Sequence, residues 1–219
     1  MDLQGFLVTI SVAAIPVLLA ITLHEVAHGR IARYFGDRTA EAQGRLSLNP
    51  LRHIDPIGTV LVPLMLLWLG GFLFGWAKPV PVNPRYLRRP RQDMVWVAVA
   101  GPAANLVMAV GWALVLSFAH HQLEGNLSSW LMNMSYYGVV INLILAIFNM
   151  LPIPPLDGGR VLANLVPPGP FSQFLAKIEP FGLFIVLGLL MLGVLSWVLS
   201  GPLRFLQNAI FSLVGVHVG

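Results

Sequence analysis

The sequence predicts an all-α integral membrane protein, and three observations carry that prediction. Charges are too few for a soluble surface, several charge-free stretches are long enough to cross a bilayer, and the arginines are confined to a few connecting segments. Of the 219 residues, 57% are hydrophobic and 10% charged, against about 45–50% and about 25% in soluble domains. So few charges cannot cover a soluble domain of this size. The same hydrophobicity excludes disorder, and the absence of cysteine excludes a disulfide scaffold. The net charge of +4 does not indicate a nucleic-acid partner. In so apolar a chain the basic residues belong beside lipid headgroups.

Taken in order, Phe6–Leu23 is unbroken and apolar, with helical patterning to about Tyr34. It lacks the basic start and small-residue cleavage site of a removed signal, so a retained helix is expected. Pro56–Ala77 is uncharged but interrupted by Pro63 and Gly70-Gly71. Met94–Ala119, Trp130–Met150 and Pro180–Leu203 each have the length of a crossing helix. Ala209–Val218 is too short to cross alone; it either lies in the interface or finishes a crossing begun near Leu203. About five to six transmembrane helices are expected.

Lys and Arg follow the first helix (Arg30, Arg33, Arg38, Arg45, Arg52), precede Met94 (Lys78, Arg85, Arg88, Arg89, Arg91) and follow the Trp130 helix (Arg160, Lys177). The loop His120–Ser129 has none. The positive-inside rule places the basic segments on the cytoplasmic side. Both flanks of Pro56–Ala77 then face the cytoplasm, which requires an even number of crossings between them. A re-entrant or hairpin segment is expected there, involving Pro63, Gly70-Gly71 or Lys78–Asn83, its irregular backbone satisfied by protein or a watery cavity. The bland alternative is one ordinary crossing with an arginine-rich outer loop.

The chemistry is concentrated in His24-Glu25-Val26-Ala27-His28. Residues four apart project from one helix face, so both imidazoles reach one ion, and Glu25 stands beside them to act on water. In a chain of this composition chance supplies about 0.003 such motifs. Helix C-terminal capping would account for the histidines but leaves Glu25 at the unfavourable end of the dipole. A catalytic zinc site takes a third protein ligand and keeps an open position. Among the acids Asp157 stands out, because it follows a helix whose end lies level with His28. Its neighbourhood, Asn149 to Gly159, is rich in proline and then glycine, which breaks a helix and can turn a carboxylate inward. As the bland alternative, Asp157 caps the next helix. Asn149 and, with less support, Asn105 are candidate donors to substrate or oxyanion; helix–helix bonding is their ordinary role. For Gly101-Pro102-Ala103-Ala104 the expected role is close packing. His53 and Asp55 read as surface or turn residues.

These motifs resemble the site-2 proteases, intramembrane zinc metalloproteases. The resemblance rests on His24-Glu25-x-x-His28, Asn149 to Gly158, Ala100 to Asn105, Gly44 to Pro50 and Ala77 to Asn83, and covers about residues 20–160. It implies one zinc per chain held by His24, His28 and Asp157, Glu25 as the catalytic glutamate, and an asparagine at Asn149 in substrate or oxyanion contact. It further implies a transmembrane protein as substrate and a bacterial-type cell membrane, with the site toward the cytoplasm. The expected organisation is one polytopic unit, 1–219, with a catalytic core over about 6–160 and accessory helices over about 171–218. No PDZ-like or CBS domain fits. The Pro/Gly stretch 63–83 is a candidate edge for an extended substrate. Two rival functions share the ligands. One is a metal-ion transporter or sensor, disfavoured by the scarcity of polar residues in the other half of the bundle. The other is an inactive helix-binding relative, disfavoured by the retained Glu25.

Overall fold

The computed structural model describes residues 3–62, 65, 75 and 78–216. Eight α-helices follow one another among these residues: α1 Leu3–Tyr34, α2 Thr39–Ala42, α3 Pro90–Gln122, α4 Gly125–Asn149, α5 Asp157–Leu165, α6 Pro170–Ile178, α7 Gly182–Met191 and α8 Val194–Leu213. No strand occurs among them. The all-α membrane architecture is confirmed. Four segments are long and apolar enough to cross a bilayer: Val8–Tyr34, Pro90–Gln122, Gly125–Asn149 and Pro170–Met191. The expected five to six thus reduce to four among the described residues, with α8 as a further long helix.

The three long helices α1, α3 and α4 form the heart of the bundle. Small residues let them approach: Ala109 and Ala113 on α3 are fully buried, and a Cβ on Gly138 of α4 would collide with the Trp112 ring. Leu116, Val139 and Leu143 fill this core, closed below by Ile210 and Phe211 of α8. The outward faces carry Val107, Leu114 and Phe118 exposed, as helices facing hydrocarbon require.

The C-terminal third departs from the expectation of one helix over Pro180–Leu203. A left-handed turn at Gly193 (φ +72°) ends α7 and starts α8, a conformation only glycine adopts freely. The start of the Ala209–Val218 stretch continues α8, which runs without a break from Val194 to Leu213.

The basic segments gather at one end of the bundle. Arg88 N–H donates to Phe35 C=O beyond the end of α1 at 3.1 Å, and the Arg91 guanidinium donates to Val166 C=O beyond α5. The stretch after His53 also returns to its starting point, since Lys78 N–H donates to His53 C=O at 3.0 Å. Ends that meet are what a re-entrant or hairpin excursion requires. Its expected path through Pro63 and Gly70-Gly71 lies outside the described residues. His53 is no surface residue: it is 1% exposed, with one ring nitrogen 2.9 Å from Ser47 C=O, closing the 47–53 loop. Asp55 is a turn residue, capping the helical turn Pro56–Leu61 through the Ile57 and Gly58 amides.

Candidate metal centre

His24 and His28 lie one turn apart on the face of α1 that packs against α3, their rings edge to face with centroids 4.6 Å apart. The third member arrives from a distant part of the chain. After α4 ends, the Pro-rich loop 150–156 folds back against the start of α5, where a Cβ on Gly158 would strike Met150 C=O and one on Gly159 would strike Pro154. The two glycines therefore permit the close turn that carries Asp157. Leu156, not Asp157, occupies the cap position of α5, and no side chain caps that helix. The Asp157 carboxylate points instead at the imidazoles: its Oδ2 lies 3.2 Å from His24 Nε2 and 3.4 Å from His28 Nε2.

The tautomers follow from the hydrogen bonds behind the rings. His28 Nδ1 lies 2.7 Å from Val97 C=O, which only accepts, so Nδ1 carries the proton and Nε2 presents a lone pair. His24 Nδ1 lies 2.5 Å from Asn105 Oδ1. Asn105 Nδ2 donates to Asn142 Oδ1 at 2.9 Å and to Ala20 C=O at 3.3 Å, while Asn142 Nδ2 donates to Gly138 C=O at 2.8 Å. The backbone carbonyl of Gly138 thus sets the direction of the whole chain. Asn142 must turn its amino group to it, Asn105 must turn its oxygen to His24, and His24 must protonate Nδ1. Both Nε2 lone pairs, 3.0 Å apart, and the carboxylate oxygen then face one another. Three acceptors converge with no donor between them, and Asp157 Oδ2 is buried without a hydrogen-bond partner among the described residues.

That arrangement fits a cation and little else. Two imidazole nitrogens and one carboxylate oxygen lie within 4.8 Å of one another, a donor set that zinc accepts. Space is reserved opposite them by Gly101 of α3, where a Cβ would sit 2.6 Å from His24 Nε2 and closer still to His28 Nε2. Close packing of Gly101 is real, but its partner is the metal-binding face. We predict that Gly101→Ala, with a methyl where the ligand nitrogens converge, loses zinc while keeping the helical circular-dichroism signal. Full zinc content in that variant would show that the site opens elsewhere.

Glu25 is half-buried beside the pair, and its Oε2 accepts from Val80 N–H at 2.7 Å. Asn105 is fully buried behind His24, with its amide committed to His24, Asn142 and Ala20. Asn149, at the end of α4, donates to Leu145 C=O of its own helix at 3.0 Å. Sequence reasoning missed Asn142, although an amide within the otherwise apolar run from Gly138 to Phe148 was the signal available. It missed Gly101 as a lining residue, and it had no means of seeing Val80 and Val97, which act through their main chains. Replacing Asn142 by Leu releases Asn105 to rotate, and zinc affinity is expected to fall about 10- to 100-fold, measured by competition with a chromogenic chelator. An unchanged affinity would remove Asn142 from the network.

A cleft of about 340 Å³ is bounded by Val80 and Val82 on one side, Pro154 and Gly159 on another, and α6 through Leu175 and Ala176; it shares Val80 with the anchor of Glu25. Two of the amides along its 80–83 edge are already engaged, Val80 N–H by Glu25 and Asn83 N–H by Asp37 at 2.6 Å.

Comparison with known proteins places this geometry in context. The family model described as "Peptidase family M50" matches residues 119–192. The Bacillus subtilis protein "Putative zinc metalloprotease YwhC" is 39% identical over 202 residues, spanning 91% of this chain and 89% of its own. Similarity extends to proteins named Rip2. That of Mycolicibacterium smegmatis is 33% identical over 79% of this chain and 64% of its own. That of Mycobacterium tuberculosis strain H37Rv is 29% identical over 91% and 72%. No solved structure matches the chain.

Proposed function

The chain belongs to peptidase family M50, the site-2 proteases, and is a zinc metalloprotease; from that premise we propose that it hydrolyses peptide bonds in or near transmembrane segments of membrane proteins. The observation that carries this reading is the buried convergence of His24 Nε2, His28 Nε2 and Asp157 Oδ2 beside Glu25, inside a bundle of membrane-spanning helices. In this reading His24, His28 and Asp157 hold one zinc. Bound there, the ion supplies Lewis-acid polarisation of the scissile carbonyl and lowers the pKa of water toward 7.

The remaining work falls to the chain's own residues. Glu25 takes a proton from the attacking water at its carboxylate and delivers it to the departing amide nitrogen, base and then acid in one turnover. Asn105 keeps His24 in the tautomer that ligates. Asn149 contacts substrate or the developing oxyanion, for which its Nδ2 must exchange Leu145 C=O for the new acceptor. The cleft beside Val80 receives the substrate locally unwound, because a helical substrate hides its carbonyls in its own hydrogen bonds. The basic end of the bundle, and with it the centre, faces the cytoplasm of a bacterial-type cell membrane.

The test uses purified protein in liposomes and a quenched fluorogenic peptide, its Leu/Ala transmembrane segment of about 20 residues broken by a central Gly-Pro. Cleavage within the segment is expected, abolished by 1,10-phenanthroline and restored by zinc. Zinc-loaded protein that leaves the peptide intact, or cleavage indifferent to the chelator, would overturn the proposal.

A further inference from the structure

Arg45 is buried, 8% exposed, yet pairs with no carboxylate among the described residues. Its guanidinium donates only to backbone carbonyls: to Arg52 C=O at 2.6 Å, to Lys78 C=O at 2.7 Å and to Pro79 C=O at 3.3 Å. Its Nε has no partner among the described residues. A buried cation without a counter-charge is an expensive fastening, and what it fastens is the segment whose next residue is Val80. Val80 N–H donates to Glu25 Oε2. The segment can lie this close to α1 because position 29, one turn after Glu25 on the same face, is glycine: a Cβ there would meet Val80 Cγ1 at 2.9 Å and Leu46 Cδ2 at 2.5 Å. Arg52 completes the clasp from the other side, donating to Gly44 C=O at 2.8 Å.

We infer that Arg45 is a positioning residue for Glu25: through the carbonyls of Lys78 and Pro79 it holds the Val80 amide on the Glu25 carboxylate. A carboxylate anchored through one oxygen keeps the other in a fixed direction, which is what a proton-transferring group needs. The inference rests on Glu25 acting as the base. It assigns to the Gly44-Arg45 and Lys78–Val80 segments a joint task that neither shows alone.

The experiment has two arms, on full-length protein in detergent. Hydrogen exchange of the 79–82 stretch reports the clasp directly, because Pro79 and Pro81 carry no amide hydrogen and only Val80 and Val82 contribute. Arg45→Gln is expected to speed the protected exchange on the order of tenfold with zinc content unchanged, and Arg45→Lys to lie between. In the cleavage arm, with the fluorogenic transmembrane peptide, Arg45→Gln lowers kcat about 10- to 100-fold at constant KM. Val80→Pro deletes the donor without touching Arg45 and gives the same loss. Combining the two adds nothing further, since both remove one hydrogen bond. Unchanged exchange in Arg45→Gln, a kcat within about twofold of wild type, additive losses, or loss of zinc would each overturn the inference, the last by making Arg45 a general scaffold residue. If zinc-loaded wild type fails to cleave the peptide, the protease reading falls, while the exchange arm still decides whether Arg45 holds the clasp.

Discussion

Glu25→Gln is expected to keep about one zinc per chain and to lower turnover by about 10²- to 10⁴-fold, the contribution of a positioned general acid–base group. The substitution changes little in shape, and the amide oxygen can still accept from Val80 N–H, a bond of 2.7 Å in the native protein. What disappears is the capacity to take a proton. The ligand atoms of His24, His28 and Asp157 are untouched, so zinc content should not move. The measurement is metal analysis beside single-turnover cleavage. Retained cleavage would remove Glu25 from the chemistry and favour a transporter or sensor, for which the glutamate is dispensable. Lost zinc would make Glu25 a structural partner of the centre.

Asp157→Ala is expected to take zinc from about one per chain to near zero, and activity with it. Removal of outer-shell partners alone costs about 10- to 100-fold in metal affinity, and in the proposed site Asp157 would supply the one anionic ligand. Its Oδ2 lies 3.2 and 3.4 Å from the two Nε2 atoms; deleting it leaves two lone pairs 3.0 Å apart with no negative charge to attract the ion. Asp157→Asn is the control, matched in volume and lacking the charge. Full zinc in both variants would preserve His24 and His28 as ligands and require a different third.

Much of the centre was legible because α1 is one unbroken helix from Leu3 to Tyr34. A spacing of four on such a helix is already a geometry, so His24 and His28 could be paired without a fold. Asp157 was reachable by a weaker argument, the depth at which the preceding helix ends. The outer partners were not reachable. Asn142 and Asn105 meet only because α3 and α4 cross where both amides are buried, and a sequence does not state where helices cross. Asn105 was visible as a polar residue, but its orientation toward His24 is decided by a carbonyl on another helix. Val97 and Val80 contribute main-chain groups, for which residue type carries no signal. His53, read as a surface or turn residue from its Pro-flanked setting, does lie in a turn but is buried, because the loop closes on it through Ser47.

By itself, the sequence determined the solvent of this protein, its helical class, the face of α1 that carries the candidate metal ligands and the chemical kind of the site. Those properties depend on composition and on periods of a few residues, which act locally. Tertiary structure alone decided which nitrogen of each imidazole faces the candidate centre, what room is left opposite them at Gly101, and what holds Glu25. Each depends on groups brought together across long separations: 81 residues from His24 to Asn105 and 55 from Glu25 to Val80. A hydrogen bond requires its partners within a few tenths of an ångström, and only the packed bundle sets distances to that tolerance.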